Sequence, residues 1–178
     1  MDKRKAEIQH KYDASSRIYD KRYTEIQHGK YREVFSKLEI EDSDIIIDIG
    51  GGTGLLLDFL NPIKSNIFSS DLSFNMLREG KKKHPHCQFI CADSEVLPFR
   101  NSCADLITSF TVFQNLPNPE EALNQILPII KDKGTLILTA LQKSYKKIDL
   151  ENLITRFDLK IDTIWELSIE DTSVIARK

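Results

Sequence analysis

The run SDIIIDIGGGTGLLLDF, residues 43–59, constrains this chain more than any other stretch. Its DIIID segment (44–48) is rich in β-branched residues and reads as a short strand buried on both faces. Glycine then fills four of the five positions from 50 to 54, at Gly50, Gly51, Gly52 and Gly54. Apolar residues resume at once, and Thr53 to Leu60 reads as a helix stopped by Asn61-Pro62. The stretch is therefore strand, glycine turn, helix. Glycines let backbone N–H groups approach a ligand where a side chain would block them, and the helix that follows aims its positive end at the same place.

The rest of the chain repeats the alternation. NIFSSD (66–71) is a second strand, and Ser73 caps a helix running to about Lys83. CQFICAD (87–93) and ADLITSF (104–110) are a third and a fourth strand. Asn118 as cap, Pro119 at the first helical position and Glu121 three residues after the cap mark a helix start. Pro128 kinks its last turn and Gly134 follows its end. TLILTAL (135–141) is a fifth strand, and Asp149 to Phe157 a short helix. LKIDTIWEL (159–167) and TSVIARK (172–178) close the chain as strands with no helix between them, hence an antiparallel pair at the sheet edge. Residues 3–38 read as helical, with Ile8, Tyr12, Tyr19, Tyr23 and Ile26 on one face and Gly29 dividing two helices. The predicted architecture is α/β: a doubly wound, Rossmann-like, mostly parallel seven-stranded sheet (39–178) behind an N-terminal helical extension (1–38), together one structural domain.

Composition narrows the function classes. A length of 178 residues favours one domain with a full core. The net charge of −2 does not announce a nucleic-acid partner. Three cysteines form no paired framework, which suits a reducing, cytoplasmic setting. No apolar stretch approaches the roughly 20 residues of a membrane span, and no secretory signal follows the basic N-terminus. His84, His86 and Cys87 in KKKHPHC would make three metal ligands, but no second cluster completes a set. The expectation is a solvated helix end and no metal.

Two ligand classes use a strand–glycine turn–helix, dinucleotides and S-adenosylmethionine. Gly50 and Gly52 fit the dinucleotide pattern G-x-G-x-x-G, but Leu55 stands at its third position. The residues spell D-x-G-x-G-x-G instead, from Asp48 through Gly50, Gly52 and Gly54. This spacing resembles motif I of the class I S-adenosylmethionine-dependent methyltransferases. The resemblance covers roughly positions 30–141, through DLSFNML, CADSEVLPF, ADLITSFTVFQNL and LPIIKDKGTLIL. It implies methyl transfer from S-adenosylmethionine held by Gly50, Gly51, Gly52 and Gly54. By the same resemblance Asp48 serves the methionine ammonium, Asp71 the ribose hydroxyls, and Leu72 and Met76 flank the adenine. Asp93 meets the exocyclic amine, Ser94 a ring nitrogen, Phe110 the methyl end, and Tyr31 the methionine end.

The acceptor is less constrained. The candidates to serve it are the groups just past the fourth strand, Phe110, Thr111, Gln114 and Asn115; Gln114 and Asn115 would either hydrogen-bond an acceptor or cap the next helix. NLPN (115–118) departs from the N-P-P-[YFW] signature of amide and exocyclic-amine methyltransferases. Tyr12, Tyr19, Tyr23 and Tyr31 would either pack the extension onto the sheet or form a lid. Only QKSYKKI separates the fifth strand from the last helix, so the acceptor face is expected open apart from the N-terminal helices. An open face, with Lys3, Arg4, Lys5, Arg17, Lys21 and Arg22 in the extension, leans toward RNA or protein over a small metabolite. A non-catalytic cofactor-binding subunit is the rival from another class. The third strand has an apolar core at the expected sheet edge, an edge of a kind usually covered. Some relatives of this fold are completed there by a small zinc-ribbon-like activator, and such a partner is expected here.

Overall fold

The computed structural model describes residues 2–60 and 66–178. Its elements in chain order are α1 (Lys3–Phe35), β1 (Ile45–Ile49), α2 (Leu55–Leu60), β2 (Asn66–Asp71), α3 (Phe74–Lys83), β3 (Gln88–Cys91) and β4 (Ala104–Phe110). A 3-10 turn at Phe113–Asn115 leads to α4 (Pro119–Ile129), β5 (Ile130–Leu141), α5 (Lys147–Ile154), β6 (Lys160–Glu166) and β7 (Asp171–Arg177). The predicted Asn61-Pro62 helix stop lies outside the described residues.

Among the described residues the seven strands form one sheet in the order β3-β2-β1-β4-β5-β7-β6. The first five run parallel to one another, and β7 runs antiparallel between β5 and β6. The fold class and the antiparallel final pair are as the sequence predicts.

The period-two alternation of β1 divides the core. Ile47 and Ile49 face the layer built by α4 and α5, with Leu123, Ile126, Leu150 and Ile154. Ile46 faces the opposite layer, where Leu55, Leu56 and Leu60 of α2 meet Tyr31 and Val34 of α1. Each fully buried isoleucine or leucine contributes about 1.5–3 kcal/mol. A polar residue in the strand before Asp48 would forfeit that contribution.

Four local expectations differ from the structure. First, α1 is one continuous helix through Gly29. A Cβ at Gly29 would stand 2.3 Å from Cδ1 of Ile169, so this glycine admits the β6–β7 turn against the helix and does not end it. Second, Tyr23 and Ile26 are exposed, and the buried residues of α1 are Ser16, Gln27, Lys30, Tyr31 and Val34. The inner surface of α1 meets polar loops as well as the core, so hydrophobic periodicity misassigns it. Third, β5 begins at Ile130 and includes Gly134, with Lys133 in the left-handed region at φ 66°. Fourth, Asn118 occupies the cap position of α4 without capping through its side chain. Its Nδ2 donates to Glu95 Oε2 at 3.2 Å instead.

Candidate functional site

The strand order turns back between β1 and β4, and crevices at such a switch point bind ligands at the strands' C-terminal ends. A cavity opens there with about 970 Å³ of empty space, part of it open to solvent.

Asp48 ends the apolar run of β1 and is buried, with Oδ1 accepting from Thr108 Oγ1 at 2.8 Å. Burial pushes its carboxyl up to about 7. The glycine turn that follows differs from a simple N–H cradle. Gly50 N and Gly51 N both donate to Ser70 O, at 2.7 and 3.0 Å, so these groups stitch the turn to β2. Gly50 has φ 74°, and a Cβ there would stand 2.2 Å from Cγ2 of Val112. Glycine at 50 is what lets the β1 and β4 loops close around the cavity.

Asp71 ends β2 on the same rim. Its Oδ2 accepts from Gly52 N at 3.0 Å and its Oδ1 from Ser73 N at 2.8 Å. Burial pushes this carboxyl up to about 6. Two backbone donors fix its orientation while each oxygen retains acceptor capacity for a ligand hydroxyl.

Helix α1 crosses the strand ends and covers the cavity. Lys5 Nζ stands 2.7 Å from both Asp93 Oδ2 and Glu95 Oε2. Gln9 Nε2 donates to Leu72 O at 3.1 Å, and Asp13 Oδ1 accepts from Ser73 Oγ at 2.5 Å and Asn75 N at 3.1 Å. Thr53 Oγ1 donates to Asp20 on the same helix. Further along, Lys30 Nζ reaches Asp171 Oδ1 at 2.9 Å and Thr111 Oγ1 at 2.8 Å. Asp171 Oδ2 in turn accepts from Thr111 Oγ1 and Thr139 Oγ1. This buried network holds Thr111, at φ 61°, beside the cavity.

The structure gathers most of the sequence-predicted site residues on this one cavity. Asp48, Gly50, Gly51 and Gly52 line it from β1, and Asp71, Leu72 and Met76 from β2 and α3. Asp93, Ser94, Phe110, Tyr31 and Asn115 complete the predicted set on its wall. Gly54 and Gln114 are not on the wall. Gly54 packs against Leu57, Phe89 and His84, and Gln114 Nε2 donates to Thr111 O. Asn115 Nδ2 donates to the Tyr12 hydroxyl at 3.3 Å. Tyr31 lies edge-on to Phe110, ring centroids 4.7 Å apart. Thr111, a candidate just past the fourth strand, is on the wall as well, and Lys5, Ile8, Gln27, Val112 and Leu116 also line the cavity and were not predicted as site residues. Nothing in their local sequence marks them, because only the path of α1 and the loop after β4 brings them there. His84 Nε2 lies 2.9 Å from Asp58 Oδ1, and among the described residues no group of three or more His, Cys, Asp or Glu is placed to hold a metal.

The wall carries three carboxylates, Asp48, Asp71 and Asp93, against one ammonium, Lys5. A pyrophosphate would be repelled there, and the turn's N–H groups are already committed. A ligand with an ammonium, a sulfonium, a ribose diol and an exocyclic amine meets this wall with complementary charge and donors. The residues thus fit S-adenosylmethionine and not a dinucleotide. The site and sheet define a class I S-adenosylmethionine-dependent methyltransferase domain.

Comparison with known proteins agrees. Residues 47–138 match the family model described as "Methyltransferase domain", just over half of the chain. The chain belongs to this family, whose cofactor is S-adenosylmethionine. It is 36% identical over 137 residues to a protein of Methanocaldococcus jannaschii without an assigned function, covering 74% of this chain and 51% of that protein. It is 28% identical over 146 residues to the malonyl-[acyl-carrier protein] O-methyltransferase of a Marinomonas species, covering 78% of this chain and 53% of the relative. The chain thus spans about half the length of these curated relatives. Among solved structures, a complex between the Haloferax volcanii Trm112 methyltransferase activator and a candidate methyltransferase matches the fold with a TM-score of 0.84 at 15% identity, over 93% of this chain and 96% of that one. Among the described residues no helix is long and apolar enough to cross a membrane.

Proposed function

We propose that the protein transfers a methyl group from S-adenosylmethionine to a small acceptor that reaches the cavity between α1 and the loop after β4. The supporting observation is the cover formed by α1 over the carboxylate-lined cavity. That helix is tied down at Asp93, Leu72, Thr53 and Asp171, so α1 lies over the strand ends and narrows the way in. We read α1 as a lid, with Tyr12, Tyr19 and Tyr31 facing the ligand as well as packing the helix.

When bound, the cofactor supplies an electrophilic methyl on sulfur; the protein supplies position, electrostatics and exclusion of water. Asp71 orients the ribose, Asp48 faces the amino-acid end, and Phe110 with Tyr31 forms the dry wall beside the reacting end. Among the described residues the lining offers no group free to take a proton. Burial pushes the phenols of Tyr12, Tyr19 and Tyr31 up, and the carboxylates serve the cofactor. This favours an acceptor that arrives already nucleophilic, such as a carboxylate, a thiolate or an acidic carbon. The malonyl-carrier relative is named for methylating oxygen, which fits that class. Asn115, bonded to Tyr12, is the polar group available to orient the acceptor.

A second reading has its own support. β3 is the open sheet edge, with Phe89 and Ile90 only half-buried, and the Haloferax fold neighbour was solved with an activator. In this reading a small activator pairs with β3 and the acceptor is RNA or protein. Parallel calorimetric titrations with S-adenosylhomocysteine and NAD test the cofactor: the first should bind tightly and the second give no heat. Labelled-methyl transfer to fractionated small molecules, RNA and protein, with and without a Trm112-type protein added, then separates the two acceptor readings. Label found only in RNA or protein would overturn the small-acceptor reading.

A further inference from the structure

Gln27 lies on the inner face of α1 and is 6% exposed. Its amide N–H donates to the Tyr19 phenol oxygen, but Oε1 is buried without any hydrogen-bond partner. The residue lines the cavity. An unpaired buried carbonyl is costly to a fold, and a leucine or methionine here would serve a helix equally well without that cost. A polar side chain in such a position needs a donor, and the cavity is where one can arrive.

Neighbouring residues indicate which part of the ligand that donor belongs to. Tyr31 is one helical turn beyond Gln27 and therefore on the same face. Its phenol senses the Asp48 carboxylate, and its ring packs on Phe110. The adenosine-binding residues are met by the opposite, N-terminal part of α1, through Lys5 on Asp93 and Gln9 on Leu72. Gln27 thus faces the amino-acid end of the site, where Asp48 supplies negative charge and, among the described residues, no lining side chain supplies a cation.

We propose that Gln27 Oε1 is a direct cofactor ligand, accepting a hydrogen bond from the α-ammonium of the methionine moiety. Helix α1 then completes the cofactor site and does not merely cover it. The proposal rests on the S-adenosylmethionine reading of the cavity. It adds a residue outside the glycine and acidic motifs, and it makes lid closure and cofactor binding one event.

Calorimetry on the full chain tests it with two probes, S-adenosylhomocysteine and 5′-methylthioadenosine, which lacks the amino-acid end. Gln27→Met keeps length and helix propensity while removing the acceptor. It should weaken S-adenosylhomocysteine about tenfold, the loss of one charge-assisted hydrogen bond, and leave 5′-methylthioadenosine unchanged. The deaminated analogue of S-adenosylhomocysteine should bind variant and wild type alike, which separates the ammonium from the carboxylate. Gln27→Glu, which restores an acceptor, should keep the preference for S-adenosylhomocysteine and serves if the methionine variant does not fold. Equal affinity of Gln27→Met and wild type for S-adenosylhomocysteine, or an equal loss for both probes, overturns the proposal. Failure of the wild type to bind either probe would instead overturn the cofactor reading beneath it.

Discussion

At the scale of single residues, Asp48 shows how a binding site costs stability. Its carboxyl is buried with one hydroxyl donor and sits near 7, against an ordinary value of 3.8. The folded value lies above the unfolded one, so the fold favours the neutral acid. That contribution is full below about pH 4 and is lost as pH rises through 7. A ligand ammonium reverses the preference by favouring the carboxylate. Affinity for S-adenosylhomocysteine should therefore rise with pH and level off above 7, with Asp71 adding to the rise near 6. Asp48→Asn should flatten the upper part of this profile, weaken binding about tenfold, and raise the melting temperature of the ligand-free protein at pH 8 by several degrees. Titrations between pH 5 and 8 check the profile; a wild-type affinity independent of pH would refute it.

At the scale of elements, the same glycine motif serves two purposes. Gly50 and Gly52 shape the cavity wall, whereas Gly54 has φ 77° and lies where β3 and α3 approach the turn. A Cβ at 54 would stand 3.0 Å from Leu57 and 3.2 Å from Phe89, in a backbone region that L-residues seldom occupy. Gly54→Ala should cost about 1–3 kcal/mol, lowering the melting temperature by about 2–10 °C in a protein of this size. S-adenosylhomocysteine affinity, measured well below the melting transition, should hardly change. A marked loss of affinity without loss of stability would return Gly54 to the binding surface.

The whole molecule is tied from its first helix to its last strand. Glu33 accepts from Trp165 Nε1 at 3.0 Å and Ser168 Oγ at 2.8 Å, Gly29 admits Ile169, and Lys30 pairs with Asp171. The β6–β7 hairpin therefore holds α1 in place. Removing one partner of a buried ion pair costs about 3–5 kcal/mol, so Lys30→Met should lower the melting temperature by at least about 6 °C. It should also speed hydrogen exchange along α1 more than along the central strands. Uniform acceleration over the whole chain would show that the network supports global stability without specifically anchoring α1.

How much of this was legible beforehand follows from where the information resides. The strands, their alternation with helices and the Asp48–glycine–Asp71 spacing are local patterns, set by period-two burial and by backbone angles that glycine alone adopts without strain. They were enough to give the fold class and place two carboxylates at adjacent strand ends. The lining by Lys5 and Gln27, the unbroken α1 and the buried Lys30–Asp171 pair were not legible. They depend on contacts between segments 81–141 residues apart, made when the helix lies across the finished sheet. Sequence alone determined a nucleoside-binding crevice; only the tertiary structure decided what closes it, because a helix face that meets a polar site carries no hydrophobic stripe to declare itself.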